Sequence, residues 1–405
     1  MTSQFRRRSV IRGMGAAAAA LSAPGLVFSQ GQRIKVGWAI SKTGPFAGGA
    51  SVTQWPNYQL WIKDVNDAGG LTVSGRKVLL EPVEYDDRSQ TEEAVRAFER
   101  LISQDKVDIL LPPWGTGLNL AVAPVFAKGG FPLMTASMAS DRTAEITKRW
   151  PNVFSLLGSS SAYAEALVAV LQELRQSGRI NGTVGIVHAT EQFGIELGNA
   201  ARRVLKEANF NIVYDGSYPG NTQDVTPIIA EAQRANPDVF IAFSYPPDTI
   251  ALTEASRVRG FNPKVFYTAV GTGFPMYKGR FGDAINGVMG IGGWNPDSDA
   301  FRAYVRRHVA MHNREPDRWG SSLFYAGLQA MGQAIEKVGM DNAKIVRELK
   351  GGSFDTIVGK LEFDKNNIRK GGWYVGQWQG GDFQGIAPKQ PGAKPILFPK
   401  PPFRT

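Results

Sequence analysis

The sequence predicts an α/β fold: two Rossmann-like lobes, each a mostly parallel sheet wrapped by crossover helices. Three observations carry this expectation. Short apolar runs alternate with amphipathic stretches along the chain, the pattern of strand–helix–strand units. With the amino-terminal leader set aside, about 375 of the 405 residues remain, past the ~250–300 at which one hydrophobic core stops growing. The tripeptide Gly-Thr-Gly follows a strand-like run once in each half, as Trp114-Gly115-Thr116-Gly117 and as Val270-Gly271-Thr272-Gly273. Ligands of such sheets bind at the carboxyl ends of their strands.

The elements follow in order. RIKVGWAI (33–40) reads as the first strand, and SVTQWPNYQLWIKDVNDAG as a helix ending near Gly69-Gly70, where glycine takes a left-handed cap. KVLLEPVEYDD (77–87) is a second strand. TEEAVRAFERLISQ (91–104) is a helix with Val95, Phe98, Leu101 and Ile102 on one face. VDILLPP (107–113) is a third strand, leading into the Trp114–Gly117 loop and a helix. After GFPLMTAS (130–137) the pattern restarts with helix 161–177, strand 183–189, helix 194–208, strand 211–218, helix 224–235 and strand 238–245. Helix 248–259 and strand 264–270 then lead to the second Gly-Thr-Gly. Helices near 299–313 and 319–337 precede two strand-like pieces, LEFDKN and GGWYVGQWQGG. Residues 386–405, rich in proline, read as an extended tail.

Residues 1–29 read as an address. Arg6, Arg7, Arg8 and Arg12 precede an apolar run, Gly13 to Phe28, too short for the ~20 residues of a membrane span. Arg7-Arg8 followed by Ser9-Val10-Ile11-Arg12 resembles the twin-arginine export pattern. Removing the leader's four arginines takes the formal net charge from +10 to +6, which gives no support for a nucleic-acid partner. The chain has no cysteine. That excludes a disulfide framework, a thiolate nucleophile, a zinc–thiolate site and a lipid-anchored amino-terminal cysteine. The expectation is a free, exported protein in the periplasm, with no part of the mature chain inserted in a membrane.

The Trp114–Gly117 loop does not fit a nucleotide. It lacks the lysine of a P-loop, and Leu120 stands where a dinucleotide fingerprint needs its third glycine. Exposed amides and one hydroxyl at a helix start suit a small anion such as a carboxylate. Hydrolase chemistry has little to build on, with no G-x-S-x-G elbow and three histidines in all. His308 and His312 have a metal-compatible spacing but no third ligand beside them. Asp86 and Asp87 are strand neighbours that point to opposite faces, and read as loop capping. Nothing calls for a cofactor or a metal. Trp114, Phe193 and Tyr245 each lie at or just beyond a predicted strand end, where aromatic rings would wall an apolar ligand.

These residues carry a resemblance. TGPFAGG (43–49), DVNDAGGLTVSGRKVLLEPVEYDDRSQ (64–90) and LISQDKVDILLPPWGTG (101–117) come first. GFPLMTAS, Gly194 after VHATEQF, SYPPD (244–248) and FDKNNIRKGGWYVGQWQGG (363–381) follow. In this order, over nearly the whole mature chain, they resemble the substrate-binding proteins of branched-chain-amino-acid-type ABC importers. The resemblance implies a type I periplasmic binding fold, with two lobes joined by three crossovers and closing on a small ligand. Lobe one would comprise 31–155 and 290–352, and lobe two 156–289 and 353–385. It implies a membrane-embedded permease with its ATPase as partner, and no catalysis. A ligand carboxylate would meet Gly115, Thr116, Gly117, Ser137 and Ala139, with Phe193 and Tyr245 opposite. Where amino-acid binders of this family carry an acid for the ligand's ammonium, Val270 and Gly271 stand here. Either Glu191 or Asp248 replaces that acid, or the ligand has no amine; the second reading gives an aromatic or aliphatic acid or amide. A ligand-sensing subunit of the same fold, a periplasmic α/β enzyme and a structural or interaction module are the alternatives.

Overall fold

The computed structural model describes residue 31 and residues 33–220 and 222–403; the leader and its export pattern lie outside them. Strand Ile34–Ile40 is the centre of a three-stranded parallel sheet, between Leu80–Asp86 and Ile109–Leu110. Only Lys35 of this strand is exposed, the continuous burial expected of a parallel strand covered on both faces. Leu133–Thr135 and Val153–Ser155 add a parallel pair. Helix Thr91–Ser103 buries Ala94, Ala97, Phe98 and Leu101, leaving the expected Val95 and Ile102 half-buried. Phe98 meets Phe126 of helix Thr116–Gly129 at 5.1 Å between ring centroids.

Three sequence expectations are corrected here. The first helix is two, Ala47–Thr53 and Trp55–Asp67. Pro56 has no N–H for the Val52 carbonyl, which accepts instead from Ser321 Oγ at 3.3 Å. The strand expected at 107–113 is cut to Ile109–Leu110, because Pro112 and Pro113 cannot donate to a ladder. The second strand splits, with Arg76–Val78 folding back on Leu71–Val73 and Leu80–Asp86 joining the sheet.

The second sheet has seven strands. Its order is Asp382–Ala387, Val375–Gln379, Met289–Gly290, Val265–Thr268, Val239–Phe243, Thr183–Ala189, Asn211–Tyr218. Pairings are parallel except the two made by Val375–Gln379. LEFDKN is not a sheet strand. Its first residue ends a short hairpin, Phe354–Thr356 with Gly359–Leu361, and Asp364 then accepts the N–H groups of Asn366 and Ile368, each at 2.8 Å. A carboxylate that closes its own turn competes with strand pairing.

Helices Asp299–His312 and Ser321–Val338 pack back on Trp55–Asp67 of the first sheet's layer, where the buried Tyr304 hydroxyl donates to Asn57 Oδ1 at 2.7 Å. Beyond Ala387 the described residues form no helix or strand, yet the chain is fastened. Gln377 Nε2 donates to Leu397 O at 2.9 Å, Gln379 Nε2 donates to Pro395 O at 2.8 Å, and Phe403 packs on Phe266. Among the described residues no helix is long and apolar enough to cross a membrane.

The histidine pair serves packing. His312 Nε2 sits 3.0 Å from Pro56 O and His308 Nδ1 2.9 Å from Arg314 O, and no three His, Asp or Glu among the described residues could share a metal. Burial pushes His308 down to about 4, with His312, Arg314 and Arg318 acting in the same direction. The unfolded chain therefore binds a proton near pH 6.5 that the folded chain refuses until about pH 4. This contribution to stability is present above pH 6.5 and lost as the pH falls toward 4. Against His308→Asn, the wild type should lose about 3 kcal/mol of relative stability between pH 7 and pH 4. Paired urea titrations at the two pH values measure it; a constant difference contradicts the assignment.

Candidate functional site

The Trp114–Gly117 loop is held from behind. Gly115 has φ +97°, a backbone state open to glycine, and it opens helix Thr116–Gly129 with no side-chain cap. Asn119 braces the loop: its Nδ2 donates to Pro113 O at 3.0 Å and Gly115 O at 2.8 Å. Ser137 and Gly115, both expected to face an anion, meet each other instead. The Gly115 N–H donates to Ser137 Oγ at 3.0 Å. Thr116 Oγ1 accepts the Ala139 N–H at 3.3 Å, which leaves its own proton to donate. The amides of Thr116 and Gly117 are the first of a 14-residue helix, where N–H groups lack intrahelical acceptors and the dipole favours negative charge.

The second sheet presents the opposing wall. Glu191 caps helix Gln192–Glu207, accepting the amides of Phe193 and Gly194 at 3.0 and 2.7 Å. It also accepts the Tyr245 hydroxyl at 2.8 Å. Burial raises its pKa, and these hydrogen bonds only partly oppose that. Asp248 is buried close by and raises the pKa of both Glu191 and Tyr218. Val270 is buried, its carbonyl accepting Thr249 Oγ1 at 2.6 Å. Gly271, φ +104°, lies so close to Pro246 that a Cβ would sit 2.8 Å from its Cα. Both Gly-Thr-Gly threonines are buried, and the loops differ in their partners: Thr272 spends its hydroxyl on Thr268 O at 2.7 Å, whereas the Thr116 hydroxyl meets Ala139 on a different loop.

Side chains from the two walls touch. Trp114 and Tyr245 lie 5.5 Å apart by centroid, Tyr245 and Phe193 5.5 Å. Phe46, which sequence reasoning missed, touches both Trp114 and Tyr245, at 5.6 and 5.3 Å. A lone phenylalanine in the glycine-rich TGPFAGG gave no periodic signal; its only cue was membership of that motif. Ser140 Oγ donates to Glu196 Oε1 at 2.8 Å across the same seam. Trp114 is 1 % exposed, its indole N–H donating to Thr53 Oγ1 at 2.8 Å. A Cβ on Gly49 would fall 2.2 Å from its ring. The arrangement is an aromatic seam between two sheets, with a helix start at one end and buried carboxylates at the other.

A sequence profile of periplasmic binding proteins matches residues 33–382. The chain belongs to the periplasmic binding protein family. Among relatives, the Leu/Ile/Val-binding protein homolog 7 of Brucella melitensis biotype 1 is 25 % identical over 392 residues, covering 91 % of this chain and 94 % of that protein. Solved structures place this periplasmic binding protein in the type I fold. A solute-binding protein of an ABC transporter from R. palustris in complex with benzoate matches with TM-score 0.75 and 18 % identity, over 90 % of this chain and 100 % of that one. The substrate-binding protein LivJ of Streptococcus pneumoniae in complex with isoleucine matches with TM-score 0.73 and 19 % identity, over 87 % and 98 %. These structural likenesses carry the fold; the ligand has to be argued from the site.

Proposed function

We propose that this periplasmic binding protein is the solute-binding component of an ABC importer. It captures a small carboxylate in the seam between lobe one (31–155 and 290–352) and lobe two (156–289 and 353–385) and delivers it to a membrane permease with its ATPase. The leader directs export by the twin-arginine route, and the mature protein works in the periplasm without a lipid anchor. One observation carries the reading: aromatic rings from both walls meet beside a helix start where the Thr116 hydroxyl keeps a proton to donate and the first amides lack intrahelical acceptors. Ligand bridging the walls would stabilise the closed arrangement by its differential affinity.

The ligand class is an aromatic or aliphatic acid, or an amide, in preference to an amino acid. Val270 offers no charge, and Glu191 already accepts three hydrogen bonds while burial disfavours its ionised form. A buried ammonium there would have only Glu191, committed to the helix start, and the neighbouring buried Asp248 to pair with, and no acid at the Val270 position. Relatives crystallised with benzoate, 4-hydroxybenzoate and isoleucine define the panel to test. Thermal unfolding of the mature protein should rise with benzoates or 4-methylpentanoate, by about 2.7 kcal/mol at a hundred times Kd. Thr116→Val should weaken the bound acid by about 1–3 kcal/mol. Stabilisation by leucine and not by its deaminated analogue overturns the amine-free reading.

A further inference from the structure

Resting on that reading, we infer that Trp319 is a ligand-binding residue: its indole N–H donates to a second, uncharged acceptor on a ligand whose carboxylate lies at Thr116. Trp319 is 2 % exposed, and its Nε1 has no hydrogen-bond partner among the described residues. Buried donors are nearly always paired. The other tryptophan of the seam is satisfied within the protein, Trp114 giving its N–H to Thr53 at 2.8 Å. The Trp319 ring stands between the two walls, 6.1 Å from Trp114 and 6.4 Å from Phe274 by centroid.

Its backbone is anchored on every side. Asp317 Oδ1 accepts the Trp319 N–H at 2.7 Å, and Arg318 donates its N–H to Gly273 O at 3.0 Å and accepts that of Gly293 at 2.8 Å. A Cβ on Gly292 would lie 2.9 Å from the Trp319 Cα, so the two backbones are packed directly against each other there. A donor fixed this firmly is pre-organised, and binding need not spend entropy placing it. The carboxylate end and this donor flank Trp114. The ligand this fits is an acid with a hydroxyl or carbonyl beyond its apolar body, such as a ring-hydroxylated benzoate.

Isothermal titration of the mature protein with benzoate, 4-methylbenzoate and 4-hydroxybenzoate tests this. The wild type should prefer 4-hydroxybenzoate over its methyl isostere by about tenfold, the effect of one hydrogen bond to a buried donor. Trp319→Phe should bind the two equally, and a cooperative thermal transition of the unliganded variant shows that it is folded. In the wild type, the indole proton resonance missing from Trp319→Phe should shift with 4-hydroxybenzoate and not with benzoate. If the acids bind but the variant keeps the preference, the Trp319 role falls and the acid reading stands. If none of the acids binds, both fall.

Discussion

Trp114→Ala is expected to lower the free energy of unfolding by about 3–5 kcal/mol, the range for truncating a well-packed core tryptophan. The size follows from how little the site can collapse. The indole lies over the bare face of Gly49 and against Phe46, Tyr245 and Trp319. These neighbours come from separate segments of both walls, so no one backbone shift fills the hole. Thr53 Oγ1 would also lose the donor it meets at 2.8 Å. Trp114→Phe keeps a smaller ring in the seam but removes both the outer edge of the indole that lies over Gly49 and the hydrogen bond, so it should fall between wild type and alanine. Urea denaturation with an unchanged m-value reads both. A loss below about 1 kcal/mol for the alanine variant would show that the seam closes over the gap, against the cavity relation. On the proposed function, the same variant should also lose its ligand-induced thermal shift, because the ring proposed to wall the ligand is the ring that joins the sheets.

Much of this arrangement was legible because it is written in local terms. Alternating apolar and amphipathic runs located the strands Thr183–Ala189 and Asn211–Tyr218 to the residue, and glycine beside Thr116 marked a turn that only a positive φ can make. Failures came where a side chain overrode the pattern. Leu-Glu-Phe-Asp alternates like a strand, but Asp364 turns the chain with its own carboxylate. Val-Gly-Thr-Gly looks like its partner in the first half, yet Thr272 turns its hydroxyl inward. Glu191 looked available to a ligand, and the start of helix Gln192–Glu207 takes it as a cap. Phe46 and Trp319 were invisible for another reason: each joins the seam through neighbours distant in sequence, Trp319 some two hundred residues after Trp114. Nothing in either local stretch encodes that meeting.

Asp317→Ala should cost about 2–4 kcal/mol, well above an exposed helix cap, since it leaves several buried donors unmet at once. Asp317 is fully buried and accepts the amides of Trp319, Gly320 and Ser321 at 2.7, 2.6 and 3.1 Å, together with the Ser321 hydroxyl. Those amides open helix Ser321–Val338, so one carboxylate does the work of a cap for 18 residues. Burial raises its pKa, which means the charged form is held at a cost, and removing it recovers part of what the lost hydrogen bonds take away. Asp317→Asn keeps an acceptor for Trp319 and Gly320 but turns an amide N–H toward the Ser321 N–H; it should fall between wild type and alanine. Denaturation midpoints order the three proteins. A loss under about 1 kcal/mol for the alanine variant would mean that water replaces the carboxylate at these amides. The turn also ties both sheets together, through Arg318 to Gly273 and to Gly293. A folded Asp317→Asn protein should therefore bind its ligand more weakly than wild type although no ligand contact has changed. The donor on Trp319 then has to be ordered at the moment of binding, and that ordering is subtracted from affinity.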